Sequence, residues 1–242
     1  MEAAGKRYGM ELHSQKFQLL STDPGCSICT PDGLAVPLKT HIDYLGATLA
    51  ADGAVDHELN RRIALAKLDF LTLSKVWSHS SLTWKGKLRV FSAVVESKLL
   101  YSLSSMCLTV AAKRRLDGFQ NRCIRKIVGI KPAFVSRVSN SDVLAKAVHT
   151  SASQLLHKRS LQLFGKVLRS PSNHPMRQVC FMGSTLIPAS ERFVRRVGRP
   201  GKEWVQEQLS EVRSLFGSVE VAMHSVPSKH TWNTALYAKL GF

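Results

Sequence analysis

From Asp56 onward the apolar residues recur at the step of a helix, and that period limits the fold more than any other feature of the chain. Leu59, Ile63, Ala66, Phe70, Leu73 and Trp77 follow one another by alternating steps of four and three. Such spacing lines them along one helical stripe, with Arg61, Arg62, Lys67 and Lys75 largely off it. A second helix is expected from Thr83 to about Leu103, burying Leu88, Phe91, Val95 and Leu99. A third is expected from about Ala111 to Val128, with Leu116, Phe119, Cys123 and Ile127 inside and Gly129 and Pro132 as its stop. Ser141 is placed to cap a short helix from Asp142 to about Val148. Further helices read from about Ser151 to Leu168 and from Glu203 to Phe216, with 172–199 irregular and the tail past Gly217 open.

The lead is different. Residues 1–20 read as a short helix end and an extended run, and Ser21 to Lys39 as loops, on the strength of Pro24, Gly25, Pro31, Asp32, Gly33 and Pro37. In HIDYLGATLAADG, residues Ile42, Tyr44 and Leu45 make a brief apolar strand that Asp52-Gly53 closes. The expected fold class is therefore mainly α with a small α+β lead.

Charge narrows the partners. Lys and Arg number 34 against 17 acidic residues, a net +17, and between Asp142 and Glu191 there is no carboxylate at all. Lys146, Lys158, Arg159, Lys166, Arg169 and Arg177 fall in that stretch, and acids return at Glu203, Glu207 and Glu211. An excess of this kind favours a polyanion, because each phosphate contact releases condensed counterions. A solvated helix face is the plainer alternative. A membrane partner is not expected, since no apolar run reaches the roughly 18 residues that a spanning helix needs. Five scattered cysteines argue against a disulfide framework and for an intracellular setting, nucleus or cytoplasm. Cys26 and Cys29 form a Cys-x-x-Cys pair without a second pair to complete a zinc site, so free thiols are expected there. Cys107, Cys123 and Cys180 read as buried small residues. Trp77, Trp84, Trp204 and Trp232 read as core anchors rather than base-stacking platforms.

The ordered motifs resemble the C-terminal part of LINE-type (non-LTR retrotransposon) reverse transcriptases. GMELHSQKFQLL is similar to the post-catalytic palm segment, with Gly9 and Lys16 matching and His13 and Phe17 departing; YLGATLAADG is similar to the primer-grip hairpin. KLRVFSAVVESKLLYSLSSMCLT resembles thumb helices through Leu99, Leu100 and Tyr101. LDGFQNRCIRKIVGI matches the family run through Leu116, Phe119, Gln120, Arg122, Arg125, Ile127, Gly129 and Ile130. KRSLQLFGKVLRSP and RRVGRPGKEW resemble the two segments that follow. The resemblance implies a palm remnant with its hairpin over 1–54, a helical thumb over 55–135, a basic helical extension over 136–216 and an unassigned tail over 217–242.

The full-length family polymerises DNA on RNA with two Mg²⁺ ions held by palm aspartates, including an Asp-Asp pair. This chain has no Asp-Asp dipeptide, so no catalytic residue, no metal ligand and no cofactor of its own is expected. Primer–template binding is what the resemblance leaves, to RNA, DNA or their hybrid, with the missing palm and fingers as a further partner. The residues it puts forward are Tyr44 and Gly46 at the grip, Arg114, Arg115, Arg122, Arg125 and Lys126 on the third helix, and Arg195, Arg196 and Arg199 in a loop. Lys16 would lie near nucleotide phosphates. The alternatives are that Tyr44 is plain hairpin core, that Lys16 is a solvated surface lysine, and that the chain is a basic scaffold or a transposon relic.

Overall fold

Helix accounts for 60% of the chain and strand for 7%, in a computed structural model that describes residues 5, 7–9, 13–30, 32–192 and 203–241. The mainly helical expectation with a small strand lead holds. The chain divides into two compact units, residues 1–61 and 62–242. Among the described residues no helix is long and apolar enough to cross a membrane.

In the first unit the loops between Ser21 and Lys39 are tied by little regular structure. Strand β1 (Leu19–Leu20) pairs in parallel with β2 (Leu38–Lys39), and a single antiparallel bridge joins Cys29 to Ala35. The hairpin of β3 (His41–Tyr44) and β4 (Ala47–Ala50) follows, with Ile42 opposite Leu49 and Tyr44 opposite Ala47. Its turn is Leu45-Gly46 rather than Asp52-Gly53, and both turn residues have positive φ, +48° and +76°. That geometry belongs to the two-residue turn whose twist suits a hairpin, which glycine adopts freely and leucine only under strain.

Helix α1 (Asp56–Thr72) begins with Asp56 and Glu58 in its first turn, where carboxylates complement the positive helix end. In the second unit the expected stripe ends early. The helix stops before α2 (Ser74–Ser78), and Trp77 stacks on Phe70 with ring centroids 5.0 Å apart while its indole N–H donates to the Phe70 carbonyl at 2.6 Å. Arg62, expected off the stripe, is buried with its guanidinium 4.5 Å from the Tyr101 ring centroid. Cation–π contact replaces part of the lost hydration.

The expected second helix is present in three pieces: α3 (Trp84–Val90), a π-helical segment Phe91–Glu96 and α4 (Ser97–Leu99). Leu88, Phe91, Val95 and Leu99 are all buried, as their spacing implies. Helix α5 (Val110–Val128) buries Leu116, Phe119, Cys123 and Ile127, and Gly129 ends it at φ +76°. After α6 (Ala133–Ser136) comes α7 (Asn140–Ala147), whose cap is Ser139 and not Ser141. Ser139 forms a reciprocal capping box with Asp142.

Helix α8 (Ala152–Arg169) is held to α5 by a polar seam. The Asp117 carboxylate accepts from Ser153 N at 2.9 Å and Ser153 Oγ at 2.7 Å. The Gln120 amide donates to Glu96 Oε1 at 2.7 Å and to the Thr150 carbonyl at 2.9 Å, and its oxygen accepts from Ala152 N at 2.7 Å. His149 Nε2 lies 2.9 Å from the same Glu96 oxygen.

A hydrophobic cluster of the core is built on Leu161, Phe164, Val167 and Leu168 of α8. Helix α9 (Pro175–Cys180), α10 (Trp204–Phe216), α11 (Val219–Met223) and α12 (Lys229–Leu240) bring Phe181, Val212, Ala222, Trp232 and Leu236 against Phe164. The tail left open by the sequence is thus helical and packed. Trp232 is fully buried, donates to the Leu161 carbonyl at 3.0 Å and covers the backbone of Gly165. A Cβ at Gly165 would fall inside that indole. Gly165→Ala is expected to cost about 3 kcal/mol or more by overpacking, read as a lower urea midpoint. A midpoint within experimental error of the parent would refute this packing.

Candidate nucleic-acid interface

The hairpin tip is presented by three side chains of α1 and β4. Glu58, fully buried, accepts from Thr48 N at 2.8 Å. Arg61 donates to the Gly46 carbonyl at 2.8 Å and lies 3.5 Å from Glu58 and 3.8 Å from Asp43. Thr48 Oγ1 donates to Asp43 at 2.7 Å. The turn is therefore braced from its own first helix, and Tyr44 stands 60% exposed beside Leu45 at 76%. Tyr44 is not hairpin core. Lys16 ends a 3-10 turn (Ser14–Lys16) and is exposed.

The basic helix divides into two functions. Arg115, Arg122 and Lys126 are exposed, and their spacing of seven and four residues puts them on one face, adjoining the face that buries Leu116, Phe119, Cys123 and Ile127. At 1.5 Å of rise per residue, Arg122 and Lys126 are about 6 Å apart along the axis and Arg115 about 10 Å further back. The stem of Lys126 reaches along apolar surface, its ammonium 5.8 Å from the Phe70 ring centroid. Arg114 is exposed on a neighbouring face.

Arg125 does not belong to this row. It is 6% exposed. Its Nε donates to Asn140 Oδ1 at 3.3 Å; one terminal nitrogen reaches the Lys131 carbonyl and Ser136 Oγ, the other the Val138 carbonyl and Asn140. All five guanidinium donors are occupied by the 131–140 connection, so none remains for a phosphate. The reason is positional: Arg125 is turned about 60° around the helix from Arg122 and about 100° from Lys126, and its guanidinium meets the connection that follows Gly129.

The carboxylate-free stretch is also less available than its charge implies. Arg177 is buried and donates to the Leu168 carbonyl at 3.0 Å. Lys158 lies over the Tyr237 ring at 4.0 Å. Lys146, Arg159 and Lys166 are exposed. The acidic cluster of α10 turns back on the protein, with Glu207 3.5 Å from Lys113 and Glu211 3.8 Å from His157. Arg195, Arg196 and Arg199 lie outside the described residues.

No thiol chemistry is built into the basic helix. Burial pushes the Cys123 thiol up to about 12, against weaker pulls downward from Arg122 and Lys126. Cys180 is raised by burial as well. Cys107 is half-buried rather than buried, and Cys29 is exposed. Among the described residues no three His, Cys, Asp or Glu side chains form a metal-binding group.

No family model matches the chain, and no curated protein or solved structure does either.

Two outcomes follow from the burial of these groups. Arg125→Ala is expected to destabilise the fold by about 2–4 kcal/mol, since it removes a buried side chain and all its hydrogen bonds to the 131–140 connection, whereas Arg122→Ala shifts stability by less than about 0.5 kcal/mol. Equal thermal shifts for the two would contradict the assignment. Iodoacetamide at pH 8 is expected to label Cys29 rapidly and Cys123 only on unfolding. Because the folded value of Cys123 is raised, its contribution to stability is complete below about pH 9 and lost as pH rises through about 12.

Proposed function

We propose that this chain binds a nucleic-acid duplex through its phosphates, as the thumb-like portion of a LINE-type reverse transcriptase, and that it performs no polymerisation itself. The reading rests on the order of the motifs from Gly9 to Trp204 and, above all, on one arrangement. Arg115, Arg122 and Lys126 form an exposed row on a long helix whose adjoining face is anchored in the core.

A rigid helix carrying cations at intervals near the spacing of successive phosphates suits backbone contact, and arginine forks match phosphate oxygens bidentately. Contacts of that type fix position and register without reading bases. The exposed hairpin tip with Tyr44 corresponds to the grip of the resembled family, where it would hold a primer end. The chemistry is absent for a reason of composition: there is no Asp-Asp pair. The chain's own share is recognition.

The test is binding to a recessed RNA–DNA duplex, single-stranded RNA and heparin across a salt series. With about four to six phosphates engaged, log K is expected to fall with log salt at a slope near −4 to −5. Replacing Arg115, Arg122 and Lys126 together by Ala should flatten that slope by about 3. An unchanged slope removes the helix row from the interface, and equal affinity for all three ligands removes the duplex reading.

A further inference from the structure

One cavity of the second unit lies away from the basic row of α5. It is a cleft of about 660 Å³ between α3 and the α7–α8 turn, lined by Trp84, Leu88, Arg89, Ala93, Val148 and His149, with Lys85 at its edge. That volume lies in the range of pockets that take small organic ligands. Trp84 is half-buried, unlike fully buried Trp232 and nearly buried Trp77, so part of its indole remains open. Lys85 holds its ammonium 5.6 Å from the Trp84 ring centroid, and Arg89 is exposed. No carboxylate lines the cleft among the described residues.

Three features mark this wall as built rather than incidental. The α-helix gives way to the π-helical turn Phe91–Glu96 along it, and such turns recur at functional sites because they re-aim side chains. His149 is fixed in the wall, its Nε2 on buried Glu96 at 2.9 Å and its ring edge against Phe91 at 6.1 Å. Glu96 also accepts from Gln120. Val148 sits at φ +49° and is 85% exposed. A β-branched residue in the left-handed region is strained, and an apolar side chain held there in solvent gains nothing from the fold.

We infer that this cleft takes a nucleobase of a single-stranded segment, stacked on Trp84 over the apolar floor, with the adjoining phosphates on Lys85 and Arg89. The inference rests on the nucleic-acid reading and deepens it: the helix row holds phosphates, whereas the cleft holds a base. Charge complementarity commits the occupant, since an aromatic floor rimmed only by cations matches an aromatic ring carrying a phosphate. Stacking on an indole is indifferent to base identity, so the cleft adds affinity without sequence preference.

The deciding experiment compares a 12-mer of deoxythymidylate with an abasic strand of the same length, by anisotropy and by quenching of tryptophan emission. Both strands carry the same phosphates. The wild-type chain is expected to bind the thymidylate strand about 5- to 150-fold more tightly than the abasic one, with quenching. Trp84→Ala should erase that preference while leaving affinity for the abasic strand within about twofold, and Trp84→Phe should keep most of it, which separates stacking from misfolding.

Equal binding of the two strands by the wild type overturns the cleft as a base site and leaves the phosphate reading intact. A protein partner as the real occupant would produce that same equality. Preference retained in Trp84→Ala overturns the assignment to this cleft. Failure of the wild type to bind either strand or the recessed duplex overturns both readings.

Discussion

The buried amide of Gln120 is the joint on which the helical unit depends. One side chain, fully removed from solvent, uses both its donor and its acceptor side on three different segments: the π-helical turn through Glu96, the α7–α8 connection through the Thr150 carbonyl, and the first turn of α8 through Ala152 N. A buried amide is tolerated only when its partners are supplied, because an unpaired group loses its hydration without return. Here the partners are themselves groups that need hydrogen bonds. Ala152 N is one of the free amides at a helix start, and Glu96 is a buried carboxylate. Asp117, one turn earlier on α5, repeats the device on Ser153. The apolar stripes bring α5 and α8 together, and this seam sets their register.

Charge is distributed by the same packing. The net +17 is not a uniform coat. Arg62, Arg125 and Arg177 are buried and spend their charge on an aromatic ring or on carbonyls, while Lys98 is bound to Asp69 at 2.5 Å and Lys113 faces Glu207. Among the exposed cations are Arg115, Arg122 and Lys126 along α5, Arg159 and Lys166 along α8, and Lys85 and Arg89 beside the cleft. Field strength near these groups is governed by their exposure and by neighbouring carboxylates, not by the total.

Much of the helical fold was legible in the residues, and the reason differs from element to element. The buried faces of α3 to α5 follow from period alone, since Leu88, Phe91, Val95, Leu99, Leu116 and Phe119 have no other way to share a stripe. The Gly129 stop follows from one residue's freedom at positive φ. Period says nothing of where a helix breaks through packing, so the end of α1 before Ser74 and the π-helical turn at Phe91 were not readable. The tail was unreadable for a related reason. Trp232 is buried only because Gly165, far away in sequence, leaves room for its indole.

The candidate interface shows the same division. Sequence by itself determined that this chain is mainly helical, strongly basic, without an Asp-Asp pair, and furnished with a cationic helix and a Tyr-Leu-Gly hairpin. Those properties reside in composition and in spacing along one element, where each residue's face is set by a fixed rotation per step. Only tertiary structure decided which cations meet solvent. It drew Arg125 into the loop after Gly129 while leaving Arg122 out, exposed Tyr44 at a braced turn, and opened Trp84 to a cleft where a core anchor was expected. Those outcomes depend on which distant segment arrives beside a side chain, and no periodicity along a single element records that.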